Sequence, residues 1–331
     1  MFPKGRAVAI LHWLSPLPPL HRPIWLVAAA CGTLACASQR ESAEASLDNA
    51  SIESPWAAPD ARVERFESAG SPSALLHQLA SSSFEGVTHF DLNGRGWGPA
   101  LASALVETSA LEHVAALDLG NNALGREGVS TLLASDHLQS LRALNMSGND
   151  LDDDAARAIA TSPSLSRLRV LMLSGNSLGH RGVRTLAESQ NLDGLAVLDL
   201  TMNPIGSAGA AGLASANGFP HLQMLFVMGC GIGPDGITEL LRSRALENLR
   251  VLALAGNDLG DPGAVLIARH SGWKRLETLD LSSNGIGLAG AQALARSPHL
   301  GQLRSLEVFG NHLTESGRAS LEERFGFRVS L

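Results

Sequence analysis

Residues 276–294 read LETLDLSSNGIGLAGAQAL, and their order of large, small and polar residues recurs through most of the chain. Counted from Asn284, apolar side chains stand eight, five and three residues before it and two and ten after it. Steps of 27 residues outward reach Asn257 and Asn203 on one side and Asn311 on the other. Further steps reach Asn176, Asn149 and Asn122. Cys230 fills the one gap in this comb, and Arg95 stands one step before Asn122. Nine copies of the five apolar columns, from Val87 to Leu321, make 45 positions, and each holds Val, Leu, Ile, Met, Phe or Trp. In a chain that is 45% apolar, chance does not fill every one of them, so the period is real and uninterrupted.

The spacing dictates a shape. The L-x-L alternation makes a short strand with its leucines on one side. A Gly-rich turn follows, and segments such as AGAQALARS carry apolar residues at helical spacing. Stacked strands sit about 4.8 Å apart, whereas packed helices need about 8–10 Å. A stack of such units must therefore curve, with parallel strands on its concave face and helices on its convex face. The expected architecture is an α/β solenoid over residues 87–321, one domain with one continuous core.

The frame L-x-x-L-x-L-x-x-N-x-L resembles that of the leucine-rich repeats. The tail of each unit, as in GIGLAGAQALA, is most similar to the ribonuclease-inhibitor-like subclass, and the resemblance covers about residues 87–325. It implies a horseshoe in which Asn122, Asn149, Asn176, Asn203, Asn257, Asn284 and Asn311 turn inward and hydrogen-bond backbone groups. It implies that Cys230 is a substitute at the same structural column. It also implies a non-enzymatic module that binds a protein on its concave face. The alternative is an effector or regulator that masks or recruits an enzyme, as inhibitors and GTPase activators of this fold do. A GTPase-activator-like role needs an arginine on a loop, and Arg95, Arg126 and Arg181 are the candidates.

Strand alternation names the residues that would do the binding. Positions six, four and two before each comb residue point out of the concave sheet. Near the ends these are polar or small, as at His89, Asp91 and Asn93, or Thr278, Asp280 and Ser282. In the middle they become Val170 and Met172, Val197 and Asp199, Met224, Phe226 and Met228, then Val251. The expectation is an exposed apolar strip with acids at its flanks, a common sign of a protein interface.

Other motifs dissolve into the repeat. GIGPDG (231–236) and GIGLAG (285–290) match G-x-G-x-x-G, but glycines fall in the same columns of other copies, so turn chemistry accounts for them. The acids of DLDDD (150–154) fall where a helix starts, which points to capping before calcium. Cys230 follows an apolar run among glycines, as a nucleophile might, yet a buried neutral thiol is inert and no base is placed beside it by the repeat. The histidines are not paired at helical spacing, and no metal or cofactor is expected. A net charge of −7 opposes binding to nucleic acid. No second core is called for, and the expected state is a monomer.

The N-terminal residues read differently. Lys4, Arg6 and Arg22 precede PIWLVAAACGTLACA, the pattern of a bacterial export signal over residues 1–37. GTLAC resembles a lipobox ending at Cys36, with Thr33 where leucine is usual, which would leave a lipid anchor as the only membrane attachment. AAAC at Cys31 is a rival, and Ala35 and Ala37 also fit an ordinary cleavage site. Residues 38–60 are Ser-, Ala- and acid-rich and read as a flexible spacer. Residues 61–86 carry Leu75, Leu76 and Leu79 at helical spacing and suit an N-terminal cap. Residues 322–331 depart from the repeat and suit a C-terminal cap, closing as a hairpin or strand.

Overall fold

The computed structural model describes residues 62–331 apart from 216–218 and 245. The expected export signal (1–37), Cys31, Cys36 and the spacer (38–60) lie outside the described residues.

Eleven short strands form one parallel sheet in chain order. They are β1 (Val63–Arg65), β2 (His89–Asp91), β3 (Ala116–Asp118), β4 (Ala143–Asn145), β5 (Val170–Met172), β6 (Val197–Asp199), β7 (Met224–Phe226), β8 (Val251–Ala253), β9 (Thr278–Asp280), β10 (Ser305–Glu307) and β11 (Val329–Ser330). A helix follows each of β1 to β10, so each unit is a strand, a turn and a helix, as the spacing requires. From β2 to β10 the strands pair with a constant offset of 27, His89 opposite Ala116 and Thr278 opposite Ser305. A constant offset is what an uninterrupted comb dictates.

The core is the set of comb columns. Of the apolar positions from Val87 to Leu321, all are buried except Val87, Trp97 and Leu313. Those three belong to the first and last copies and pack partly buried against the core. The terminal units lack a neighbour on one side, so exposure concentrates there.

Both ends add a strand of their own. In segment 61–86, β1 pairs with β2 at an offset of 26, Val63 opposite His89. Its helix Pro72–Ser81 starts on the Ser71 side chain, which accepts from the Ala74 N–H, and buries Leu75 and Leu79. Phe90 packs edge to face on Phe66 and Phe84, which are tilted against each other, with centroids 4.9–5.8 Å apart, closing this end with rings where the middle copies use leucine. At the other end the helix Glu315–Phe325 runs past Leu321 because Leu321 and Phe325, one turn apart, are both buried. The expected boundary at residue 322 therefore falls inside a helix. The chain closes with β11 parallel to β10, Leu306 opposite Val329, and not as a hairpin. Both edge strands are very short, which limits edge-to-edge pairing.

Candidate protein-binding face

The comb residues hold the backbone that presents this face. Asn149 donates from Nδ2 to the carbonyls of Leu119 (2.9 Å) and Ser147 (3.1 Å). Its Oδ1 accepts from the N–H groups of Asn122 (3.1 Å) and Leu124 (3.2 Å) in the preceding copy. Asn176, Asn257, Asn284 and Asn311 repeat this arrangement, and the Asn203 Oδ1 accepts from Leu178. Each side chain thus ties two buried turns together. The ladder ends at Asn122, whose Oδ1 has no partner among the described residues.

Cys230 does half of this work. Its thiol lies 3.2 Å from the Leu200 carbonyl and 3.5 Å from that of Met228, where an asparagine amide would donate. It is 2% exposed. His221 lines a groove where the strands begin, together with Arg250, Lys274, Arg275 and Arg304, whereas Cys230 lies in the turn where β7 ends.

The concave residues alternate as expected but do not stand proud. In β6, Leu198 is fully buried in the core, with Val197 and Asp199 on the other side. Val170, Met172, Met224 and Val251 are nevertheless buried, and Val197, Phe226 and Met228 are half-buried. The expected exposed strip is thus corrected to a close-packed floor. Strands about 4.8 Å apart crowd side chains that share one face, and the register sets Met172, Asp199 and Phe226 in one row. The side chain that projects is Met202, 53% exposed, in the turn just after β6.

The column four residues before the comb carries a device that the sequence reading missed. Oδ1 of Asp91, Asp118, Asn145, Asp199 and Asp280 each accepts from the backbone N–H two residues on, at 2.9–3.2 Å. This bond fastens the chain as it leaves the strand. The signal was available: acid or amide recurs in that column of otherwise unlike copies.

These carboxyls differ in what else they meet. Burial raises the pKa of Asp118, but its Oδ1 also accepts from the side chains of Asn93 (3.1 Å) and Asn145 (2.9 Å). Burial raises Asp280 as well, opposed by Ser282. Asp199 is 1% exposed, and burial pushes its carboxyl up to about 6, with Thr201 pulling the other way. Its Oδ2 and the Thr201 hydroxyl have no partner of hydrogen-bonding geometry among the described residues.

The remaining motifs belong to the scaffold. A methyl group on Gly290, the last glycine of GIGLAG, would lie 2.7 Å from Asp261 Oδ1 and 2.9 Å from Ala264 Cβ. The neighbouring copy packs directly against this glycine, so close packing between copies accounts for it. In DLDDD, Asp152 caps its own helix through the N–H groups of Asp154 and Ala155. Asp153 instead accepts from Gly179 (2.7 Å) and Gly182 (2.9 Å) of the next copy. Among the described residues no group of three or more His, Cys, Asp or Glu is placed to hold a metal, and no helix is long and apolar enough to cross a membrane. Arg126 and Arg181 lie in helices, Arg126 paired with Asp152 and Asp154, and Arg95 stacks on Trp97.

A comparison with curated proteins finds no significant match. A family model described as Leucine Rich repeat matches residues 110–133, 137–160, 195–214, 245–268 and 276–295. The matches detect leucine-rich repeats in these segments, and the parallel sheet, the offset of 27 and the asparagine ladder are those of an α/β solenoid built from such repeats.

Proposed function

We propose that this chain is a non-enzymatic interaction module of the ribonuclease-inhibitor-like kind, which binds a protein partner on the concave face between β5 and β8. Leucine-rich repeats are generally protein-interaction modules, which supports the coarse reading. The finer reading rests on one observation. Four of the six methionines, Met172, Met202, Met224 and Met228, gather with Phe226 on this part of the sheet and the turns that follow it. Unbranched thioether chains re-pack readily and suit a surface that must fit a partner. The leader-like N-terminal sequence supports export to a bacterial envelope, with Cys36 as lipid anchor and residues 38–60 as tether.

The test compares the full chain with a Met202→Glu, Phe226→Glu, Met228→Lys variant, all at positions with some exposure, after circular dichroism shows that both are folded. A protein retained from native cell envelope by the wild type and lost by the variant is the expected result. The same protein retained by both would move binding off this face. Labelling with a radioactive fatty acid, lost on Cys36→Ser, is expected for the anchor.

A further inference from the structure

Asp199 is placed at a cost to the fold. Where a side chain of this column fastens the turn, an uncharged oxygen is enough, as Asn145 shows by accepting the Ser147 N–H at 3.0 Å. At Asp199 the same bond to Thr201 uses Oδ1, and Oδ2 and the Thr201 hydroxyl are buried without a partner of full hydrogen-bonding geometry among the described residues, the hydroxyl offsetting only part of the effect of burial on the carboxyl. A buried carboxylate with an empty oxygen is unfavourable unless a cation reaches it. Its row neighbours, Met172 on β5 and Phe226 on β7, carry no charge.

The next turn residue departs from its column too. At the position before the comb residue Gly148, Gly175, Gly229 and Gly256 have positive φ, and so do Asn121, Ser283 and Met202, of which Met202, at 56°, is the one large apolar side chain. A methionine rarely adopts that conformation. A Cβ on Gly229 would lie 2.6 Å from the Met202 sulfur, so the glycine leaves room for it. Thus one copy combines an uncompensated buried acid with a strained, projecting thioether.

We propose that Asp199 and Thr201 form a socket for a basic side chain of the protein partner, with Met172, Met202, Phe226 and Met228 closing over its methylene stem. The inference rests on the concave-face reading above and names the chemistry of the anchor. A lysine or arginine would give Oδ2 the charge-assisted bond it lacks. Its aliphatic stem would take the place of thioethers that can rotate away. The acids Asp118, Asp280 and Glu307 at the flanks add complementary charge for a basic segment, while Asp91 is already paired with Arg65 at 3.4 Å.

The test uses a random twelve-residue peptide display library selected on the immobilised full chain, then affinities of the enriched peptides. Asp199→Asn keeps the Oδ1 acceptor for Thr201 and replaces the charged Oδ2 by a neutral amide donor, and a thermal melt checks that it is folded. The expected result is a shared Lys or Arg among the selected peptides, with binding about tenfold or more weaker to Asp199→Asn and on replacing that residue by norleucine. Peptides lost by the Met202→Glu, Phe226→Glu, Met228→Lys variant but bound equally by Asp199→Asn would overturn the socket and leave the concave face standing. If no peptide is enriched, or none is lost by either variant, both fall.

Discussion

Asn257 accepts the Cys230 backbone N–H on its Oδ1 at 3.0 Å, whereas Cys230 brings no carboxamide oxygen to the copy before it. A thiol can donate to the Leu200 and Met228 carbonyls, as an asparagine amide would, yet it offers no carboxamide oxygen. The Ile205 N–H, which would have used that oxygen, turns to the Asn203 carbonyl at 2.8 Å. Between the copies of Asn203 and Cys230 the comb therefore lacks the bonds that an asparagine oxygen would accept.

Restoring the rung should strengthen it. Cys230→Asn is expected to raise stability by about 1 kcal/mol, the net value of a recovered buried hydrogen bond. Cys230→Ala, which removes the weak donor as well, should lower it by a similar amount. Urea melts of the three proteins give the order, and an asparagine variant no more stable than the alanine one would refute the half-rung.

A complete rung should cost more to lose. Asn149→Ala removes two donated and two accepted bonds and leaves buried backbone groups unpaired, so a loss of about 3 kcal/mol is expected. Hydrogen exchange should show the faster amides at Asn122 and Leu124, the donors that lose their acceptor. Uniform acceleration along the chain would argue against a local tie.

Asp199 sets a pH dependence of known sign. Its folded pKa, about 6, lies above the ordinary carboxylate value of 3.8, so the folded protein holds this proton more tightly than the unfolded chain. Its contribution to stability is fully present below pH 3.8 and is lost as pH rises through 6. Asp199→Asn should therefore be more stable than wild type at pH 7.5 by up to about 3 kcal/mol, from roughly two units at 1.36 kcal/mol each. Near pH 3.5 the difference should vanish. Thermal melts across this range measure it, and an Asn variant less stable at pH 7.5 would contradict the uncompensated charge.

Asp261 fastens one copy to the next, with the N–H groups of Gly287 (2.7 Å) and Gly290 (2.8 Å) both donating to its Oδ1. Asp261→Ala should lower stability by about 1–2 kcal/mol, as for a lost helix cap. Gly290→Val should be far worse, because its side chain would meet Asp261, Ile286 and Ala264 at once. Chemical denaturation compares the two, and a tolerated valine would rule out the close approach.

The repeat, the sheet order and the turns at Asn149 or Asn284 were legible in the sequence because each column answers to one local need repeated at one period. Leu198 faces the core for the same reason as Leu171, and the alternation of a strand puts Asp199 on the other side whatever surrounds it. The glycines of GIGLAG and the acids of DLDDD could likewise be assigned to the scaffold from their columns, although the reach of Asp153 into the following copy could not. Where the frame breaks, sequence reasoning was less sure: the end that adds β11 was open between hairpin and strand, and three phenylalanines distant in sequence met only in space.

What the sequence determined by itself was the solenoid, because burial of period-27 columns needs no contact beyond the adjacent copy. Only the tertiary structure decided the state of the concave face. Whether Met172 or Val251 is exposed depends on how tightly neighbouring strands crowd one another, and whether Asp199 finds a partner for Oδ2 depends on side chains 27 residues away on either side. Alternation fixes the direction of a side chain, but burial and ionisation are properties of the neighbourhood into which it points.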